Sequence, residues 1–271
     1  MTIWNLDHYD AFFVDVDGVL LRGGQPIDKA ASAFRALQAA GQVLILTNNS
    51  TRTREQQATR LSDLGFNVRP GEVVCSSYVM AEYLRKTHGP VSVWTVGESG
   101  LTDELLASGH RIASNPADAQ WVVAGMDRSI THQKLVDALQ ALDAGARLAA
   151  TNQDRTFPSS VGPMPGAGAI IGAFAGMGFE PDVSVGKPDQ AFYDMALSLT
   201  DVAKDRILMI GDRLETDILG GTKNGLDSLL VLTGISTRSV IEQSDVRPTW
   251  IADSLAAAVA GNAIIGDRAA Q

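Results

Sequence analysis

Cysteine is almost absent from this chain of 271 residues. Because Cys75 is the only one, no disulfide can form within the chain, and such usage is typical of a reducing compartment. Basic residues are also scarce: 22 lysines and arginines stand against 31 aspartates and glutamates, so the formal net charge is −9. An acidic surface repels phosphate backbones and anionic lipids, and we therefore expect neither nucleic acid nor a membrane as a partner.

Long hydrophobic runs and a recognisable leader are missing as well. Residues 1–10 have neither a basic segment nor an apolar one, so no secretory signal is predicted and a cytoplasmic location is expected. Residues 156–179 carry no charge, but three prolines and six glycines interrupt them, and their apolar part is too short to span a bilayer. The rest of the composition, 45% hydrophobic and 20% charged, is that of a globular protein with room for two lobes.

Two aspartates follow a strongly apolar stretch near the start of the chain. Residues 11–14 have the pattern of a strand buried on both faces, and Asp15, Asp17 and Gly18 come directly after it. Alternate residues of a strand point the same way, so both carboxylates should lie at its carboxyl end, where open α/β sheets bind ligands. Such a pair can hold a divalent cation or divide into a nucleophile and an acid–base. The alternative is a simple turn.

Strands and helices alternate along the whole chain. A helix over 29–40 is predicted to stop at Gly41, acting as a C′ glycine, before a second buried strand over 43–46. Further strands are expected at 73–74, 91–96, 121–123, 146–150, 206–210, 228–232 and 249–252. Further helices are expected at 53–64, 78–86, 101–107, 132–142 and 190–199. This order predicts an α/β fold with a doubly wound, Rossmann-like parallel-sheet core.

The middle of the chain has strands and helices but no paired aspartates of its own. We therefore predict an inserted α/β domain over residues 78–181, within a core built from 1–77 and 182–271. A glycine-rich stretch over 165–172 lacks the glycine that a dinucleotide fingerprint needs at position 171, which is isoleucine. It is better explained as a helix of small residues packed closely against a neighbour.

One eight-residue pattern occurs twice. Residues 41–48 and 145–152 share glycine, leucine, threonine and asparagine at equal spacing. Either copy could present a Thr-Asn pair to a ligand. The alternative is that helix, glycine, strand and turn form a common local arrangement.

Four polar clusters follow the predicted core strands. They are Asp15 with Asp17, Thr47-Asn48-Asn49, Lys187, and Asp212 with Asp217. Parallel strands would bring them to one sheet edge. There Asp15, Asp212 and a backbone carbonyl could bind Mg²⁺, Thr47 could bind phosphoryl oxygens, and Lys187 could offset negative charge. Each residue alone has an ordinary structural explanation, but their joint order favours phosphate chemistry.

These motifs resemble those of a known family. Asp15-Val16-Asp17-Gly18-Val19, Thr47-Asn48-Asn49, Gly186-Lys187-Pro188 and the segment from Gly211 to Asp217 are similar to the four motifs of the haloacid dehalogenase-like superfamily. The resemblance covers nearly the whole chain. It is strongest to phosphatases with a large α/β cap between the second and third motifs, the NagD-like, p-nitrophenylphosphatase and phosphoglycolate phosphatase group. It implies that residues 78–181 are a cap domain that sets specificity.

The resemblance implies Mg²⁺-dependent hydrolysis of a small phosphorylated metabolite in two steps. Asp15 would attack phosphorus to form an aspartyl-phosphate, and Asp17 would protonate the leaving group and then activate water. The catalytic set is Asp15, Asp17, Thr47 and Lys187. The implied metal ligands are Asp15, Asp17 and Asp212, with Asp217 orienting Lys187 or metal-bound water. The implied phosphate-binding residues are Thr47, Asn48, Asn49 and Lys187.

The cap is expected to contact the substrate through the loop with Asn152, Gln153 and Asp154. Pairing of relatives through their caps makes a homodimer a further expectation. The rival function is a phosphate-binding or phospho-aspartate signalling protein with little turnover, since receiver domains also combine acidic residues, a threonine and a lysine. Asp17 distinguishes the two, because a general acid two residues after the nucleophile favours turnover.

Overall fold

Two parallel sheets form the framework of the protein. The computed structural model describes residues 4–159 and 161–266. The strands are β1 (Ala11–Val14), β2 (Leu21–Arg22), β3 (Gln25–Pro26), β4 (Gln42–Thr47), β5 (Val73–Cys75), β6 (Ser92–Val96), β7 (Arg111–Ile112), β8 (Trp121–Ala124), β9 (Arg147–Ala150), β10 (Thr156–Ser159), β11 (Gly162–Pro165), β12 (Val183–Ser184), β13 (Ile207–Gly211), β14 (Asp227–Val231), β15 (Trp250–Ala252) and β16 (Ile264–Ile265). The helices are α1 (Ala30–Ala40), α2 (Arg54–Asp63), α3 (Ser76–His88), α4 (Ser99–Ala107), α5 (His132–Asp143), α6 (Ala167–Gly176), α7 (Gln190–Leu197), α8 (Leu219–Lys223), α9 (Arg238–Gln243) and α10 (Leu255–Val259).

The larger sheet has β1 near its centre. Its strand order is β16-β15-β14-β13-β1-β4-β5, and every strand is parallel to its neighbours except β16. All four residues of β1 are buried, and its two phenylalanines pack on opposite faces. Phe12 joins the apolar cluster that contains Phe34 and Phe66, whereas Phe13 joins the one that contains Tyr193. The predicted doubly wound core, with a strand buried on both faces, is confirmed.

The smaller sheet comes from the middle of the chain, with strand order β12-β9-β8-β6-β7. The last strand of this sheet along the chain, β12, follows the predicted domain boundary at residue 181. Its residues Val183 and Ser184 nevertheless pair with Ala149 and Ala150 of β9, in the smaller sheet. One apolar cluster continues from Phe13 of the larger sheet, through α3 and α7, to strands β6, β8 and β9. The division of the chain into 1–77, 78–181 and 182–271 stays a prediction, and the chain crosses back from the smaller sheet immediately before Lys187.

One local prediction is confirmed, and another is wrong. Thr53 begins α2 with the predicted capping box, since its Oγ1 accepts from Gln56 N at 3.2 Å and Gln56 Oε1 accepts from Thr53 N at 3.0 Å. Gly41, however, is not a left-handed C′ glycine: its φ is −174°, which any residue adopts. A Cβ there would lie 2.2 Å from the Asp10 carbonyl oxygen, so close chain approach explains the glycine.

The uncharged stretch contains two elements. Its first part forms the antiparallel hairpin β10–β11, which the sequence did not indicate, and its second part forms α6, the predicted helix of small residues. Sequence reasoning also missed β7, α9, the antiparallel edge strand β16 and the pairing of β12. Within the described part of the chain, every helix is too short or too polar to cross a membrane.

Candidate active site

The carboxyl ends of the central strands of the larger sheet open onto a cavity of about 300 Å³. Asp15 follows β1, Thr47 is the last residue of β4, and Asp212 follows β13. These strands are adjacent and parallel, so their ends meet as the sequence predicted. The cavity is closed on its far side by the end of β9 and by β10, which makes it a space between the two sheets.

Lys187 lies at the centre of the site and is buried. Its Nζ donates to Asp15 Oδ1 at 2.7 Å, to Asp217 Oδ1 at 2.7 Å and to the Leu46 carbonyl oxygen at 2.9 Å, which uses all three of its N–H groups. Burial disfavours the ammonium ion, but the carboxylates of Asp15 and Asp217 outweigh that effect and raise the pKa of Lys187. The lysine is therefore a permanent positive charge with a fixed position.

Asn48 fixes the backbone of the same lysine. Its Oδ1 accepts from Lys187 N at 2.7 Å, and its Nδ2 donates to the Lys187 carbonyl oxygen at 3.1 Å. Nδ2 also donates to Asp154 Oδ2 at 3.0 Å, which links the strand end to the loop after β9. The side chain of Asn48, predicted from the resemblance to bind phosphate, is thus occupied on both ends with protein groups.

Three buried carboxylates meet beside Lys187. Asp15, Asp212 and Asp217 each offer an oxygen, and these oxygens lie within 4.8 Å of one another. Burial first, and then the other two carboxylates, raise the pKa of Asp15 against the opposing effect of Lys187. Burial and Asp217 raise the pKa of Asp212 to about 7. One ammonium does not balance three carboxylates, and hard oxygen donors with excess negative charge suit a divalent cation such as Mg²⁺.

The hydrogen bonds separate these three residues into two kinds. Both oxygens of Asp217 are engaged, Oδ1 with Lys187 at 2.7 Å and Oδ2 with Arg213 N at 3.2 Å. Asp15 and Asp212 each have only one engaged oxygen among the described residues, since Asp212 Oδ2 accepts from Ile235 N at 2.7 Å. The carboxylates with a spare oxygen are therefore Asp15 and Asp212.

Glycines make room for the Asp212 side chain. A Cβ at Gly18 would lie 2.3 Å from Asp212 Oδ2, and one at Gly234 would lie 1.8 Å from the same atom. Gly18 also has a φ of +90°, a left-handed conformation that glycine adopts without strain. These contacts explain why the Asp17-Gly18 turn needs its glycine.

Asp17 stands apart from the carboxylate cluster. It lies in the tight turn after β1, is partly exposed, and lines the cavity on the side of Gly23 and Gly24. Burial raises its pKa, opposed in order by the positive charges of Arg60, Lys187, Arg52 and Arg213. Of the ligands that the resemblance implied, Asp17 is thus the one whose carboxylate is outside the group formed by Asp15, Asp212 and Asp217.

The two predicted loops both reach the cavity. Thr47 Oγ1 accepts from Asn49 N at 3.2 Å, and Asn49 Oδ1 accepts from Thr51 N at 2.8 Å, so a local turn holds this loop. Thr47, Asn48 and Asn49 line the cavity. Asn152 and Asp154 line it as well and are joined by a bond from Nδ2 to Oδ2 at 2.8 Å, whereas Gln153 is exposed and outside the lining.

Sequence reasoning missed most of the positive charge around the cavity. Arg52, Arg60, Arg128 and Arg213 all line it. Arg213 and Arg52 lie beside motif residues, so closer attention to motif neighbours would have found them. Arg60 lies on α2, where nothing in the sequence marks it. Arg128 follows β8, in a segment (residues 125–128) that resembles the same family group, but sequence reasoning gave it no role at the site.

Two family models match the chain. One, described as haloacid dehalogenase-like hydrolase, matches residues 12–111, and another, described as HAD-hydrolase-like, matches residues 184–258. The chain is 33% identical over 257 residues to an acid sugar phosphatase of Staphylococcus epidermidis, covering 94% of this chain and 98% of that protein.

Solved structures agree with this relationship. The p-nitrophenyl phosphatase of Archaeoglobus fulgidus superposes with a TM-score of 0.86 at 33% identity, covering 93% of this chain and 98% of that one. The glycerol phosphate phosphatase of Mycobacterium tuberculosis in complex with magnesium gives a TM-score of 0.87 at 32% identity, covering 95% and 78%. This chain belongs to the haloacid dehalogenase-like hydrolases, and within them it is a phosphatase.

Proposed function

We propose that this phosphatase hydrolyses a small phosphorylated metabolite with Mg²⁺ as its cofactor and an aspartyl-phosphate as its intermediate. The observation that carries the proposal is the joint burial of Asp15, Asp212 and Asp217 around Lys187. A carboxylate held this way can be a nucleophile toward phosphorus only if positive charge offsets its repulsion from the phosphate. Lys187 supplies one such charge, and Mg²⁺ held by the carboxylates would supply the rest.

In the first step, Asp15 forms a bond to phosphorus while the bond to the leaving oxygen breaks. Lys187 holds the attacking carboxylate through the 2.7 Å bond to Oδ1, which limits its motion. Asp17 gives its proton to the leaving oxygen. Its raised pKa supports this role, because a general acid must keep its proton until the substrate arrives.

In the second step, water attacks the aspartyl-phosphate. Asp17, now ionised, takes a proton from the water, the bond between phosphorus and Asp15 breaks, and phosphate leaves. Two aspartates are needed because one is consumed as the nucleophile while the other moves protons.

We assign the metal to Asp15 and Asp212, the carboxylates with a spare oxygen. Any contribution from Asp17 falls to its backbone carbonyl, since its carboxylate is outside the cluster. Mg²⁺ bound there would offset negative charge on the phosphoryl group. Asp217 keeps Lys187 in position, and the structure of its hydrogen bonds supports that role over direct ligation.

Thr47 and Asn49 are the proposed phosphate contacts on the β4 loop, while Asn48 acts by holding Lys187. Asn152 and Asp154 are the proposed substrate contacts on the cap, and the exposure of Gln153 argues against a contact by that side chain. A cytoplasmic location and a homodimer stay predictions, the first supported by the single buried cysteine.

The direct test is phosphate release from a panel of metabolite phosphomonoesters, with Mg²⁺ or EDTA, beside Asp15→Asn. We expect release that requires Mg²⁺ and is lost in the variant. Asp10→Asn is the matched control, because it makes the same change at the other end of β1, where an exposed side chain pairs with Arg206. Absence of Mg²⁺-dependent release from every ester would overturn the proposal in favour of a binding or signalling role.

A further inference from the structure

Two of the cavity arginines form no ion pair among the described residues. Arg52 follows the β4 loop and Arg60 lies on α2; both are partly buried and both line the cavity. Neither forms an ion pair or a side-chain hydrogen bond with any residue in 4–159 or 161–266. Partly buried arginines without a carboxylate are costly to keep, so an external anion is the natural partner to look for.

The other two cavity arginines are already committed. Arg128 makes a bidentate pair with Glu98, with Nε at 2.7 Å from Oε1 and Nη2 at 2.6 Å from Oε2. Arg213 donates to the Thr156 carbonyl oxygen at 2.9 Å and lies 3.9 Å from Glu215. Both carboxylate oxygens of Glu98 are thus bonded to Arg128, and Glu98 acts on Arg52 only through space.

Arg52 and Arg60 share one region of the cavity. The pKa of Arg52 is lowered by burial and then by the positive charges of Arg60 and Arg128, which means that these guanidinium groups act on one another. The backbone of Arg52 is held in place, since Ser77 Oγ donates to its carbonyl oxygen at 3.2 Å. Arg60 Nη2 lies 3.7 Å from where a Cβ would stand on Gly24, and so borders the β2–β3 hairpin.

This region lies on the leaving-group side of the site. Arg60 borders the β2–β3 hairpin at Gly24, and Leu21 of that hairpin is bridged to Asp17, the residue that the proposed function places at the leaving oxygen. Arg52 lines the same cavity. The charge of the phosphoryl group would be offset by Lys187 and by the Mg²⁺ that the carboxylate cluster would hold, around the end of β1. The proposed phosphoryl site therefore does not require Arg52 and Arg60.

We propose that the substrate is a phosphomonoester whose leaving group carries a second anionic group, bound by Arg52 and Arg60. This inference rests on the proposed function and narrows its substrate class. A carboxylate or a second phosphate would each suit a pair of guanidinium groups. The cavity volume of about 300 Å³ is that of a site for a small molecule.

The test compares esters that match in size and differ in charge. 3-Phosphoglycerate and glycerol 3-phosphate have the same carbon chain and differ by a carboxylate. Propane-1,3-diol bisphosphate and 3-hydroxypropyl phosphate differ by a phosphate. For the wild type we expect kcat/KM to be at least about tenfold higher for one charged member than for its neutral match, and the pair that responds identifies the anion.

Arg52→Gln and Arg60→Gln should each lower kcat/KM for the preferred charged ester by about tenfold, mainly through KM, and reduce the preference over its neutral match. Arg35→Gln is the control, because Arg35 is an exposed arginine of α1 outside the cavity lining and its loss changes the net charge equally. It should leave the preference unchanged, which separates local binding from the overall field of the protein.

A binding measurement keeps this inference separate from the catalytic one. Asp15→Asn, titrated calorimetrically with 3-phosphoglycerate and glycerol 3-phosphate, should bind the charged ester more tightly, and the added Arg52→Gln should remove the difference. If the wild type hydrolyses the matched esters equally and both arginine variants slow them alike, the inference is wrong while the proposed function stands. If the charged ester binds but no ester is hydrolysed, the proposed function fails and the anion site survives.

Discussion

The end of β4 and the end of β9 carry the same sequence pattern and perform different tasks. Both have glycine, leucine, threonine and asparagine at equal spacing. In the larger sheet, Thr47 lines the cavity and Asn48 bonds to both backbone groups of Lys187. In the smaller sheet, Thr151 is fully buried and donates to Asn152 Oδ1 at 3.0 Å, and Asn152 holds Asp154 at 2.8 Å. The two copies meet where Asn48 and Asn152 donate to one Asp154 oxygen.

Their glycines differ as well. Gly145 has a φ of +103° and needs glycine for its backbone conformation, whereas Gly41 is extended and needs it for the approach of Asp10. A shared pattern thus identifies two similar strand ends, while the neighbouring elements decide what each end does. Among the described residues, only the β4 copy hydrogen-bonds to Lys187, and the proposed function places that copy in the reaction site.

The largest effect is expected from a substitution on the β4 side of the comparison. Asp15→Asn should lower turnover by about 10⁴-fold or more, because the amide is a poor nucleophile and no neighbouring group replaces it. Phosphate release measures the loss, and circular dichroism checks that the fold remains. Retention of a tenth of the activity would mean that another residue attacks phosphorus.

Asn48→Ala and Asn152→Ala, measured side by side, test whether the ends of β4 and β9 have different roles. The first should lower kcat by about 10- to 100-fold, because it leaves the backbone N–H and carbonyl of Lys187 without their partner and loosens the lysine. The second should lower kcat by less than about threefold and act mainly on KM and on the ranking of substrates. Steady-state kinetics on two esters suffices, and equal kcat losses would contradict the division of roles.

The acidic cluster should make Mg²⁺ binding on the β4 side depend on pH. Without metal, the pKa of Asp212 is about 7, above its ordinary 3.8, so its contribution to the free energy of unfolding falls as the pH rises from about 4 to about 7 and is constant at higher pH. A divalent cation relieves this cost, and protons compete with it below pH 7. Apparent Mg²⁺ affinity should therefore fall by about tenfold between pH 8 and pH 6.

Thermal unfolding with and without Mg²⁺ at the two pH values measures this effect. The rise in Tm on adding Mg²⁺ should be larger at pH 8, and Asp212→Asn should remove most of the difference between pH values. An equal rise at both would show that Asp212 does not exchange its proton for the metal.

The smallest expected effect concerns the buried threonine of the second copy. Thr151→Val should cost about 1 kcal/mol of unfolding free energy through the lost bond to Asn152, with turnover within about twofold of wild type. Thr47→Val should behave the other way, with a larger loss of turnover than of stability. Urea unfolding and phosphate release should be measured on both variants. If Thr151→Val lost mainly turnover and Thr47→Val mainly stability, the two roles would be assigned the wrong way round.

The sequence could predict those parts of the site that follow apolar strands. Asp15, Thr47 and Asp212 were located because each stands at the end of a buried run, and parallel neighbours must bring such ends together. The bond between Asn48 and Lys187 could not be found in this way, since it joins residues 139 positions apart and depends on how two loops meet. Arg60 was missed because its helix position carries no local mark of the cavity that it faces.

The placement of β12 was missed for a related reason. Two residues are too short for a pattern to assign them to a sheet, and only their pairing with Ala149 and Ala150 does so. The hairpin β10–β11 escaped notice because its prolines, Pro163 and Pro165, argue against a strand, although on a two-stranded ribbon they are tolerated.

The short strand β12 connects Lys187 to the smaller sheet. The chain leaves the smaller sheet at Ser184 and is anchored to the larger one at Lys187, where the ammonium group and both backbone groups are held. One of the two crossings between the sheets is therefore anchored at the proposed reaction centre. Because these bonds come from the larger sheet and the loops that follow its strands, a change in the orientation of the smaller sheet would leave Lys187 in place beside Asp15 and Asp217.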